Sequence, residues 1–155
     1  MSWVKLNGDK LRLVGERETT QKSITDIART TKSNHRQNTY EQSVIKSNKA
    51  SELRELKNIF DEVKEDRPED KKSDEYNEWY QDYQMAKEDY EAAKLDANEY
   101  WDDQLAALED ESSEQEADLQ HEQTTEETRL EAITSEIEAV SEAISKAIED
   151  ATLEI

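Results

Sequence analysis

Residues 74–108 read DEYNEWYQDYQMAKEDYEAAKLDANEYWDDQLAAL. Tyr76, Trp79, Tyr83, Ala86, Tyr90, Ala93, Ala97 and Tyr100 follow one another at gaps that alternate between three and four residues. Gaps of that kind gather side chains on one face of an α-helix and define a coiled-coil seam. Tyr80, Trp101, Leu105 and Leu108 widen the face. From residue 74 to residue 155 there is no glycine, proline or cysteine to interrupt a helix. A second seam closes this stretch: Leu130, Ile133, Ile137, Val140, Ile144, Ala147 and Ala151, with Ile148 beside it, and apolar character continues to Ile155. One unbroken helix over 74–155 would reach about 120 Å at 1.5 Å per residue. A helix of that length cannot bury its own seam, so the chain is expected to fold back on itself or to meet other chains.

Upstream, residues 51–64 carry a shorter seam. Leu53, Leu56, Phe60 and Val63 repeat at three, four, three, and Ile59 joins them. Residues 18–48 are rich in Thr, Ser, Asn, Gln and basic residues. Ile24, Ile27 and Ala28 form one apolar turn and Tyr40, Val44 and Ile45 another, with polar Thr31, Asn34, Gln37 and Asn38 between. Polar residues at seam positions set register at a cost in stability. Pro68, the sole proline, ends helix propagation in the acidic and basic run 65–72. Ser73 or Asp74 can cap the helix that follows.

The first fifteen residues read differently. Trp3-Val4-Lys5-Leu6 precedes Asn7-Gly8, and Leu11-Arg12-Leu13-Val14 precedes Gly15. Asn-Gly supplies the positive φ angles of a tight turn, which predicts a short β-hairpin. Such a hairpin is marginal alone, so Trp3 and Leu6 would need a platform. Residues 109–128 thin out to Ala117 and Leu119 as apolar positions, and Ser113/Glu116 and Thr124/Glu127 have capping-box spacing. That stretch reads as a second corner, a solvent-bridging helix or a flexible acidic segment. The expected fold is all-α, a long helical hairpin or coiled-coil bundle with a short N-terminal β-hairpin. Its parts are 1–15 (β-hairpin), 18–64 (first helical arm), 65–73 (turn), 74–108 (aromatic helix), 109–128 (acidic corner or bridge) and 129–155 (C-terminal amphipathic helix).

Composition narrows function mainly by exclusion. The chain has 155 residues, 33% of them hydrophobic and 39% charged, with net charge −20. Residues 1–60 hold 12 Lys and Arg against 7 Asp and Glu, a balance of +5. Residues 61–155 hold 8 against 33, a balance of −25. Acid of this density repels nucleic acid and anionic membranes. The basic part is expected to meet acid, within one chain or between neighbours. With no cysteine, disulfides and thiolate chemistry are excluded. His35 and His121 lie 86 residues apart in polar surroundings. No phosphate loop, EF-hand loop or nucleophile elbow is present. No enzyme activity, cofactor or metal is expected. No cleavable signal and no apolar run long enough for a membrane span are seen. The chain is expected to be soluble, either in the cytoplasm or outside the cell after export without a cleaved signal.

These features point to a structural subunit that assembles with copies of itself, its seams bundling and its basic and acidic parts meeting laterally. The expected interface comprises Trp3 and Leu6; Leu53, Leu56 and Phe60; Tyr76, Trp79, Tyr83, Tyr90, Tyr100 and Trp101; and Leu130, Ile133, Ile137, Val140, Ile144, Ile148 and Ile155. An acidic coiled-coil adaptor, scaffold or chaperone holding a different protein is the alternative, and a nucleic-acid mimic the third reading. In pattern, residues 122–155 resemble the terminal helix of flagellin-type and type III secretion filament subunits. The shared features are a cysteine-free chain, no cleaved signal, a polar N-terminal region and an amphipathic helix at the C-terminus. The resemblance implies export as an unfolded chain and assembly outside the cell.

Overall fold

The structure, a computed structural model, describes residues 2–154. It contains two α-helices, α1 (Trp3–Glu65) and α2 (Asp74–Leu153), joined by residues 66–73. Among the described residues there is no strand. The chain divides into two compact units. One comprises Met1–His35 with Ser113–Ile155, the other Arg36–Ser112.

The expected N-terminal β-hairpin is not present: its residues form the first turns of α1. The physical reason lies in a periodicity that Asn7-Gly8 obscures. Leu6, Leu13, Thr20 and Ile27 are spaced by seven and all four are buried. As a hairpin these residues could form only a marginal two-stranded ribbon. As a helix, Leu6 and Leu13 share one face with the rest of α1. Neither Gly8 nor Gly15 adopts a positive φ, and Asn7 donates its side-chain amide to the carbonyl of Trp3 one turn earlier at 3.0 Å.

In the unit built from the two chain ends, Leu13 is the most buried side chain. It packs against Ile133 and Ile137, with Val14 and Val140 alongside. Leu6 lies with Ala147 and Ala151, so numbers rise along α1 as they fall along α2 and the pair is antiparallel. Thr20 occupies a seam position at 3% exposure. Its hydroxyl donates to the Glu16 carbonyl at 2.8 Å, which satisfies it without a partner on α2.

The second unit holds the turn. Ser73 caps α2: its Oγ accepts from the Tyr76 amide at 3.1 Å and donates to the Asp70 carbonyl at 2.7 Å. Asp70 Oδ1 accepts from the Lys72 amide at 3.0 Å, and acidic Asp74 and Glu75 occupy the first turn of α2. Trp79 donates its indole N–H to the Val63 carbonyl at 2.7 Å. Trp101 donates to Glu52, and Lys49 Nζ meets Asp102 Oδ1 at 2.9 Å. The order of these pairs again makes the helices antiparallel. Residues 109–128 lie within α2, which runs through them without a break.

Candidate assembly surfaces

Two helices bury one line of side chains each. Among the described residues seven hydrophobic side chains and Thr20 are buried, while twelve large hydrophobic side chains are exposed. A third or fourth helix is what ordinarily covers such faces.

In the unit formed by Arg36–Ser112, Phe60 is the centre of an aromatic stack. Its ring lies 5.6 Å from Tyr83 and 5.0 Å from Tyr90, and Trp79 stacks on Tyr83 at 5.2 Å. Tyr76, Trp79, Tyr83, Tyr90, Leu53 and Leu56 are half-buried. The alternation of threes and fours then slips. Residues 93, 97, 101 and 105 are four apart and at least half-buried. Trp101 is therefore turned inward, while Tyr100 is 55% exposed and meets Trp101 edge-on at 4.9 Å. On α1, residues 41, 45, 49 and 53 show the same run of fours. Both helices thus add one residue at the level of the Lys49–Asp102 ion pair, which locally unwinds a left-handed supercoil.

The flanks of this seam differ from each other. Reversing one helix of a coiled coil places its e positions opposite e, and g opposite g. With Phe60, Tyr83 and Tyr90 at a positions, Lys57, Lys64, Lys87 and Lys94 all fall on e positions, beside Tyr80. The g positions hold Ile59, Asp82, Asp89 and Asp96, with Glu55 and Glu62 just outside them. The grooves agree with this assignment. One, of 310 Å³, is lined by Lys64, Arg67, Tyr76, Trp79, Tyr80 and Tyr83. The other, of 230 Å³, lies on the opposite flank, with Ile59 and Asp89 at its edges and Leu56, Val63, Ala86 and Ala93 among the side chains that line it. On the basic flank the cations also sit over rings: Lys64 lies 4.6 Å from the Phe60 centroid, and Arg67 5.7 Å from Tyr76 and 5.9 Å from Trp79. Ile59, on the acidic flank, is 62% exposed.

In the other unit Ile133, Ile137 and Leu6 are buried, and Leu130, Val140 and Ile144 half-buried, in the antiparallel pair. Trp3 and Ile148 are exposed, and Ile155 lies outside the described residues. A second stripe on the outer side of α1, Val4, Gly8, Leu11 and Gly15, has gaps of four, three and four. Val4 and Leu11 are 70% and 74% exposed, and nothing approaches either glycine.

Most of the expected interface residues in the Arg36–Ser112 unit therefore line one continuous seam between α1 and α2; several of them also floor the two grooves, while the charged side chains of the flanks, with Ile59 and Tyr80, lie outside that set. Lys57, Lys64, Lys87 and Lys94, and Asp82, Asp89 and Asp96, were legible as seven-residue repeats. They identify flanks only once the a and d positions and the antiparallel direction are known. Among the described residues no helix is long and apolar enough to cross a membrane. Comparison of the chain with protein-family models, with curated proteins and with solved structures finds no match in any of the three.

Proposed function

We propose that this protein is a structural subunit that assembles with copies of itself through its helical faces into a filament or other extended assembly. The observation that carries the reading is the imbalance between covered and uncovered apolar side chains. A pair of helices with twelve large hydrophobic side chains in solvent has faces suited to further helices. Burying apolar surface stabilises an assembly by roughly 25 cal/mol per Å² before association costs are subtracted. Both units have such faces, so one molecule can hold more than one neighbour. Contacts that use different surfaces on the two partners continue into open assemblies unless a rotation closes them. The resemblance of residues 122–155 to the terminal helix of flagellin-type subunits is in keeping with this, and on that basis assembly would take place outside the cell after export without a cleaved signal.

A second reading rests on a separate observation. Residues 95–128 contain 13 Asp and Glu and no Lys or Arg, a surface suited to a strongly basic protein. On that reading the chain is an acidic adaptor, scaffold or chaperone.

The two readings separate in one experiment. Sedimentation velocity and negative-stain electron microscopy are applied to the purified protein over a wide range of concentration and salt. A mass that climbs with concentration, with filaments or rings on the grids, is the outcome expected of the structural subunit. A species that stays monomeric or dimeric at every concentration rejects it in favour of the adaptor.

A further inference from the structure

The Arg36–Ser112 unit has a basic flank and an acidic flank on opposite sides of one seam. We infer that copies of the chain stack side by side through this unit, the lysine flank of one molecule lying along the apolar groove on the acidic flank of the next. This inference rests on the self-assembly reading and names the surfaces that carry it out.

Charge placement is the first ground. In a helical pair stabilised by its own flanks, opposite charges face each other across the seam at e and g. Here they do not. Lys57 and Lys64 on α1 share a flank with Lys87 and Lys94 on α2, while Glu55 and Glu62 share the other with Asp82, Asp89 and Asp96. Like charges that face each other disfavour the pair they flank. The same arrangement is complementary to a second copy, because each molecule offers one flank of either sign. All nine of these side chains are exposed to a neighbour, Lys64 also meeting Asp61 of its own helix at 3.7 Å.

The apolar surface is the second ground. The groove on the acidic flank is lined by Leu56, Val63, Ala86 and Ala93, with Ile59 standing at its edge. Alanine at 86 and 93 leaves room for a neighbouring helix to approach closely. The opposite flank presents Tyr80 over the ring-lined groove with Tyr76 and Tyr83. A tyrosine can fill an apolar groove while keeping its hydroxyl in water. The aspartate rim and the lysine stems would then close around the apolar contact, much as a polar rim surrounds an interface core.

The contact is heterologous: it joins the basic flank of one molecule to the acidic flank of another, leaving a free flank at each end of the pair. A third copy adds in the same manner as the second. That is the geometry of an open assembly, or of a ring if the rotation closes.

Two charge-reversed proteins test the inference. One carries Lys57→Glu, Lys64→Glu, Lys87→Glu and Lys94→Glu. The other carries Glu55→Lys, Glu62→Lys, Asp82→Lys, Asp89→Lys and Asp96→Lys. Circular dichroism first establishes that both remain helical, as exposed substitutions that preserve like-on-like flanks should allow. Sedimentation velocity then compares each alone, the two mixed in equal amounts, and the wild type. The expected result is loss of large assemblies for each variant alone and their return on mixing, where every acidic flank finds a basic one. Wild-type assembly should also dissolve in about 1 M NaCl, where the screening length falls to about 3 Å. If the wild type assembles and either helical variant alone assembles equally well, the flank contact is overturned while self-assembly stands. Helical variants that fail to assemble on mixing overturn it as well. A wild type that never exceeds a monomer overturns both the contact and the reading beneath it.

Discussion

Gly8 and Gly15 sit inside α1 with helical φ angles, and a Cβ built on either meets nothing within 4 Å. Neither uses the conformational freedom that suggested a turn. A glycine inside a helix costs about 0.5–1 kcal/mol relative to alanine. Gly8→Ala and Gly15→Ala are therefore each expected to raise stability by about that amount, as read from urea denaturation followed by circular dichroism. In a β-hairpin with a tight Asn-Gly turn, Gly8→Ala would lower stability instead, so the sign of the change tests the helical N-terminus directly. Asn38 poses a different residue-scale problem. Its side-chain oxygen is buried without a hydrogen-bond partner, a cost that a purely apolar seam would avoid and that polar seam residues incur when they set register.

At the level of single helices, the aromatic stretch shows how far periodicity carries and where it stops. Alternating threes and fours identify residues 76 through 97 as one face, and these line the seam against Phe60 and its neighbours. At 100 and 101 the sequence offers two adjacent aromatics, and the alternation favours Tyr100. The structure turns Trp101 inward, where its indole N–H donates to Glu52, and Lys49 pairs with Asp102 on the adjoining position. Those partners are about fifty residues away, and a local pattern contains no information about them. The expected signature is a difference in cost. Trp101→Ala should destabilise by about 2 kcal/mol or more, while Tyr100→Ala should stay within about 0.5 kcal/mol. Thermal denaturation of the two variants checks this. Comparable losses would show that Tyr100 shares the seam. The N-terminal stretch departs from its local signal for a related reason. The Asn-Gly turn signal is local, while the seven-residue repeat that places this stretch in α1 is completed by Thr20 and Ile27, beyond residue 15.

Across the whole molecule, residues that hold a chain together and residues that can join it to others need to be told apart. Ile137 is buried with Leu13 inside its own chain, while Ile59 stands exposed at the edge of a groove. Ile137→Asp places an unpaired charge in that core. It is expected to cost more than about 3 kcal/mol and to reduce the helical signal of the monomer. Ile59→Asp is expected to leave helicity and melting temperature nearly unchanged while weakening assembly. Circular dichroism with sedimentation on the two variants separates these effects. If Ile59→Asp instead melts the helices, the groove belongs to the monomer's own core.

The order of residues is enough to make the chain helical over most of its length, to put the break around Pro68, and to divide charge between a basic first part and an acidic remainder. Each of these follows from local chemistry: the missing amide hydrogen of proline, the 3.6-residue turn of the helix, and a count of ionised groups. The folded arrangement reveals that residues 3–15 join α1, that α2 runs unbroken through residues 109–128, and that Trp101 replaces Tyr100 in the seam. It also decides which lysines share a flank. Those outcomes depend on which residues of one helix face which residues of the other. The direction and register of that pairing come from contacts between residues far apart in the chain.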